Sequence, residues 1–330
     1  MRKPGLVWLF IGASAILPSI YSQNNAPLRL IQTIPMPKVQ GRIDHMALDI
    51  EHQRLYVAAL GNNTLEALDL RAAKVTQTIT GLKEPQGVVY VPELGKLFVT
   101  TGGDGKCYVF SGDPLRQLSV LDIGEDADNI RYDAAEKRLY IGYGSGALGA
   151  VDASALKRLG DIKLAGHPES LQLEKTGPKI YVNVPDARQV AVVDRLKQQV
   201  LSTWPLEKLQ ANFPMALIEA DHRILVATRK PAKLVVLDSE SGKMVAEMEC
   251  AGDADDLFYD AEKKLVYVSC GEGVIDVFAK HDPDHYQEVV RIPTAPGART
   301  ALWAPELNQL FLAAPSREGQ QAAVRIYRRE

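Results

Sequence analysis

The tripeptide Leu55-Tyr56-Val57 returns six more times along the chain. Its counterparts are Leu97-Phe98-Val99, Leu139-Tyr140-Ile141, Ile180-Tyr181-Val182, Ile224-Leu225-Val226, Val266-Tyr267-Val268 and Leu310-Phe311-Leu312. The central residues are separated by 42, 42, 41, 44, 42 and 44 positions. A period in the low forties written in β-branched and aromatic residues is the mark of a propeller blade of four short strands. Seven copies predict an all-β, seven-bladed β-propeller.

Working outward from each tripeptide, an apolar segment begins about twelve residues earlier. Examples are Met46-Ala47-Leu48, Ile130-Arg131-Tyr132 and Leu257-Phe258-Tyr259. Apolar residues on both faces suit an innermost strand held between neighbouring blades. Polar turns such as Asp133-Ala134-Ala135-Glu136 separate it from the tripeptide strand. A third strand follows, often ending in Asp, as in Val190-Ala191-Val192-Val193-Asp194. Alternating, more polar segments such as Val75–Ile79, Gln117–Leu121, Val200–Trp204 and Met244–Met248 predict solvent-facing outer strands.

The last repeat stops three residues after Tyr327 and has no outer strand of its own. A spare one precedes the first inner strand, Leu28-Arg29-Leu30-Ile31-Gln32-Thr33-Ile34, and shares a Gln-Thr-Ile pattern with Val75–Ile79. The expectation is that this N-terminal strand pairs into the seventh blade and closes the ring, removing an exposed edge.

Hydrophobic residues make up 46% and charged residues 24% of the 330 positions, a composition suited to a globular protein with a large core. Net charge is −3, falling to −5 without Arg2 and Lys3, which gives no electrostatic drive toward nucleic acid. The basic start, the apolar run Leu6–Ile16 and the small residues of Ser19–Ser22 have the layout of a secretory signal peptide. Residues 1–22 are therefore expected to be a leader and residues 23–330 a single propeller domain, periplasmic or secreted. No later stretch is long and apolar enough to predict a membrane span. Cys107, Cys250 and Cys270 fall in three different blades and are expected to be buried thiols, one bridge among them being left open. No Cys/His spacing indicates a zinc site.

The repeats resemble the YVTN-type, YncE-like seven-bladed propellers of exported bacterial proteins. The matching segments include Glu84-Pro85-Gln86-Gly87 with Leu97-Phe98-Val99, and His167-Pro168-Glu169-Ser170 with Ile180-Tyr181-Val182-Asn183. Leu225 stands where an aromatic belongs, and few repeats keep the Pro-x-Gly start. The resemblance covers residues 28–330 and implies a fold. Some relatives are accessory subunits of periplasmic redox complexes, but fold alone fixes no activity.

In a propeller the starts of the inner strands converge on the central channel at one face. Counting twelve back from each anchor gives Asp44, Gln86, Asp128, Glu169, Phe213, Asp255 and Arg299. Four of the seven are carboxylates, where the chain average of 41 acidic residues in 330 predicts about one. The next positions add His45, Asn129, Asp256 and Thr300. Asp44, Asp128, Glu169 and Asp255 form a candidate ring for a hard cation such as Ca2+. Arg299 is read as neutralising its acidic neighbours or gripping a ligand carboxylate.

Two function classes follow. One is a binding protein that engages a protein partner or small ligand at the channel mouth. The other is a lactonase-like hydrolase in which a divalent metal acts as Lewis acid and His45 as general base. Gluconolactonase-like propellers, with six blades, hold a metal in such a place by analogy. His45 is expected to be the one histidine at the ring, His167 a surface residue, and His281 and His285 part of a solvated turn. GxSxG and phosphate-cradling motifs are absent from the sequence.

Overall fold

In a computed structural model, Tyr56 is paired across strands with Ala47 on one side and Ala67 on the other. Each tripeptide therefore lies on the second strand of a four-stranded antiparallel sheet. The structure describes residues 26–317 and 319–330; the expected leader lies outside them. Seven such sheets are present among these residues. The innermost strands run from Met46–Asp49 in blade 1 to Ala301–Ala304 in blade 7. Neighbouring inner strands touch all the way round, blade 7 meeting blade 1.

The repeat is legible because it encodes the interfaces between blades. Side chains alternate across a strand, so the tripeptide's middle residue points to one neighbouring blade and its flanks to the other. Tyr56 packs with Leu97 and Val99 of blade 2. Phe98 packs with Leu139 and Ile141 of blade 3, and the pattern runs on until Phe311 meets Leu55 and Val57. The core is thus seven inter-blade clusters rather than one centre. Leu225 packs in the cluster between blades 5 and 6 with Phe278, Cys250 and Cys270.

The seventh blade takes its outer strand from Leu28–Pro35, which pairs antiparallel with Ala323–Arg329. This strand carries a bulge between Leu30 and Gln32. The outer strands of the other six blades carry the equivalent irregularity against their third strands. The N-terminal segment is therefore a full fourth strand. Two outer strands absent from the sequence pattern, Lys157–Lys163 and Tyr286–Pro293, complete blades 3 and 6.

Turns between inner and second strands lie on the face opposite the inner-strand starts. The residue three before the anchor has positive φ in six of the seven blades: Gln53, Gly95, Lys137, His222, Lys264 and Asn308. Blade 4 has Pro178 there, whose ring forbids that conformation. His222 is thus a turn residue. Asp282 accepts the backbone N–H groups of Asp284 and His285, so the His281–His285 segment is an exposed, self-capped turn. Among the described residues no helix is long and apolar enough to cross a membrane.

Candidate functional site

Backbone hydrogen bonds fix the inner-strand starts against the second strands. Asp128 N donates to Gly142 O at 2.9 Å, Glu169 N to Asn183 O at 3.0 Å and Asp44 N to Ala58 O at 2.8 Å. The side chains so placed converge. A void of about 20 Å³ at the channel mouth is lined by Arg42, Asp44, His45, Asp128, Asn129, Glu169, Ser170, Phe213, Asp255 and Asp256. A larger cavity of about 410 Å³ continues along the axis past His45, Arg131, Gln172, Asp256 and Phe258.

Eight of the eleven channel positions counted from the sequence line the void. Gln86 instead donates from Nε2 to Asp126 Oδ1 at 3.2 Å. Arg299 neutralises acids: its Nη1 lies 2.8 Å from both oxygens of Asp253 and its Nε 3.2 Å from Asp255 Oδ2. Thr300, one position further, is buried and donates to Ile43 O at 3.2 Å.

The carboxylates differ in how they are satisfied. Asp255 is held by Arg229 and Arg299, with the Arg229 guanidinium stacked 4.0 Å over the Phe213 ring. Asp44 Oδ2 accepts from Arg42 Nη2 at 2.7 Å, and its Oδ1 lies 3.6 Å from His45 Nε2. Asp256 Oδ2 accepts the Ala301 backbone N–H at 2.7 Å. Asp128 is 7% exposed, and its Oδ1 is buried with no hydrogen-bond partner.

His45 is not the only histidine here. The side chain of His167 is 16% exposed, not at the surface, with Nε2 3.8 Å from Asp128 Oδ2 and Nδ1 3.6 Å from Asp126 Oδ2. Its Nδ1 also lies 2.7 Å from Gly144 O. His167, Asp126, Arg42 and Asp253 all fall fourteen residues before their anchors. Asp126 and Asp253 take left-handed backbone there, and the bend returns that position to the same mouth, so counting two residues further back would have found them. Arg131 was also missed. It is the charged centre of the inner strand Ile130–Asp133, and it donates to Asn129 Oδ1 at 3.2 Å and Ile130 O at 2.9 Å.

Crowding of acids in a desolvated place shifts their protonation. Burial, reinforced by Asp128, pushes Glu169 up to about 8. Burial likewise raises Asp256 to about 7, with His45 opposing and Asp255 assisting. Burial raises Asp44 as well, against the pull of His45 and Arg42. His167 is pulled down by burial but carried up to about 9 by the nearby Asp128 carboxylate and its hydrogen bond to the Gly144 carbonyl. Burial also pulls His45 down, and Asp44, Asp256 and Asp128 outweigh it.

No family model matches the sequence, and no curated protein matches it at a significant level. Solved structures do. A chain of the mitotic checkpoint complex aligns over 99% of this chain and 99% of its own, with a TM-score of 0.78 and 13% identity. A chain of hydrazine synthase from Kuenenia stuttgartiensis aligns over 94% of this chain and 99% of its own, with a TM-score of 0.74 and 13% identity. At such identities the likeness establishes the seven-bladed propeller and nothing about activity.

Proposed function

We propose that this chain is an exported propeller of the YVTN type that works as a binding scaffold, taking a positively charged ligand at its channel mouth. One observation carries the reading: Asp128 presents a buried, unpartnered carboxylate oxygen among further acids at a small void. An unsatisfied buried acceptor is costly, and a cation supplies what it lacks. Asp44 and Asp255 already have arginine partners, which leaves Asp128, Glu169 and Asp256 to meet the ligand.

The test is thermal unfolding with a panel of small cations, metal ions and organic ammonium compounds alike, on the parent and on Asp128→Asn. A ligand that binds only the folded state raises the midpoint by mass action. At least one cation should raise it for the parent and not for the variant. If only neutral or anionic compounds shift the midpoint, the reading falls. Export is tested separately, by fractionation and by N-terminal sequencing of the mature chain, which should begin near residue 23.

A further inference from the structure

We propose that Asp128, His167 and Glu169 together hold one divalent first-row transition-metal ion. This rests on the reading above and narrows its ligand from any cation to a metal of borderline character. One donor atom from each of the three residues lies within 4.8 Å of the other two. Ligands bonded at about 2.1 Å stand about 3.4 Å apart in a tetrahedral set, so side-chain rotation alone can close the triad.

Two independent features point to an ion rather than to a cluster of acids held together by protons. The first is the orphaned Asp128 Oδ1, on a side chain nine-tenths buried and lining the void that Glu169 also lines. The void's volume of about 20 Å³ is room enough for an ion. The second is the setting of His167. A carbonyl oxygen only accepts, so the 2.7 Å contact to Gly144 O places a hydrogen on Nδ1. A metal ion would displace the second proton and take the lone pair of Nε2, the nitrogen that faces Asp128. A histidine whose far nitrogen is tied to a backbone carbonyl is the usual outer support of a metal ligand.

The donor types decide the metal class. Ca2+ takes six to eight oxygens, whereas imidazole with two carboxylates suits Zn2+, Fe2+ or Mn2+. The four-carboxylate ring expected from sequence is not free for Ca2+, since Asp255 and Asp44 are engaged by arginines. His45, with Asp44 and Asp128, forms a second triad on the same shared aspartate. The His45 set is the weaker of the two because Asp44 is already paired with Arg42.

The experiment is calorimetric titration of the full chain, freed of metal with chelator, using Zn2+, Mn2+, Ca2+ and Mg2+. The visible spectrum of the Co2+ form provides a second readout. Zn2+ or Mn2+ should bind one per chain, about 100-fold or more tighter than Ca2+. His167→Ala and Glu169→Gln should each weaken binding at least 10-fold and alter the Co2+ bands, while His222→Ala, in a turn on the opposite face, leaves both within 2- to 3-fold. Circular dichroism confirms that the variants are folded, Glu169→Gln being the near-isosteric one. Loss of binding in His45→Ala with His167→Ala unaffected overturns this ligand set. No transition-metal binding, with an organic cation still binding through Asp128, overturns the metal and leaves the wider reading standing. Neither kind of cation binding removes both.

Discussion

Arg29 Nε lies 2.6 Å from Glu330 Oε1, joining residues 301 positions apart across the closing blade. The pair is about half exposed on both sides, and exposed ion pairs contribute between zero and about 1 kcal/mol. The closure is held instead by what lies beneath it. Leu28 is packed into the cluster between blades 6 and 7, and Ile34 into the one between blades 7 and 1.

Ile34→Ala should therefore cost about 2–4 kcal/mol in urea unfolding, as for a buried large-to-small change. Arg29→Ala should cost less than about 1 kcal/mol. Deleting residues 28–34 should destabilise the whole ring, because it leaves an unpaired strand edge along Ala323–Arg329. A truncated chain as stable as the parent, or equal costs for the two substitutions, would show that the strand does not close the ring.

The fold was readable because one three-residue pattern specifies two neighbouring interfaces at once, and the ring repeats that requirement seven times. The mouth was readable only where a residue falls in register with the repeat, as Asp44, Asp128 and Glu169 do. His167 escaped because Pro168 beside it suggested an exposed loop, whereas the chain turns its ring inward to Gly144. Pairing was out of reach as well. Nothing in the spacing of Asp255 says that Arg229, twenty-six residues away, arrives from the preceding blade to neutralise it.

The protonation pattern at the mouth fixes the sign of a pH dependence. In the metal-free protein Glu169 and Asp256 are raised to about 8 and about 7, from 4.5 and 3.8, and His167 to about 9 from 6.5. Folded chains then bind more protons than unfolded ones between about pH 5 and 9, so stability falls as pH rises through that window. Glu169→Gln should flatten the slope in urea midpoints measured from pH 5 to 9. Stability that climbs across the same range would contradict the raised values.

Gly87 ties the second blade to this site. A Cβ there would run into the Asp128 carbonyl and Thr100 Oγ1, and Thr100 Oγ1 already donates to that same carbonyl at 2.5 Å. The obstruction is backbone, which cannot swing aside. Gly87→Ala should displace the Asp128 segment, lowering stability by about 1–3 kcal/mol and weakening any ligand that depends on Asp128. Gly95→Ala, where nothing lies within 4 Å of the added carbon, tests positive φ alone. It should lower stability by about 1–2 kcal/mol with no effect on ligand affinity. Equal effects of the two on affinity would refute the link.

Arg299 bridges two acids at the start of blade 6, its Nη1 shared by both oxygens of Asp253 and its Nε on Asp255. The Asp255 side chain is 13% exposed, so removing one of its two arginines leaves a poorly solvated charge with Arg229 alone. Arg299→Ala should cost about 1–3 kcal/mol, and Arg299→Lys should recover little, because a point charge cannot span both carboxylates. Adding Asp253→Ala to Arg299→Ala should cost less than the sum of the single changes, since the two residues share one interaction. Strict additivity in that double-mutant cycle would mean that Arg299 and Asp253 are not energetically coupled, and that the arginine acts through Asp255 or through packing.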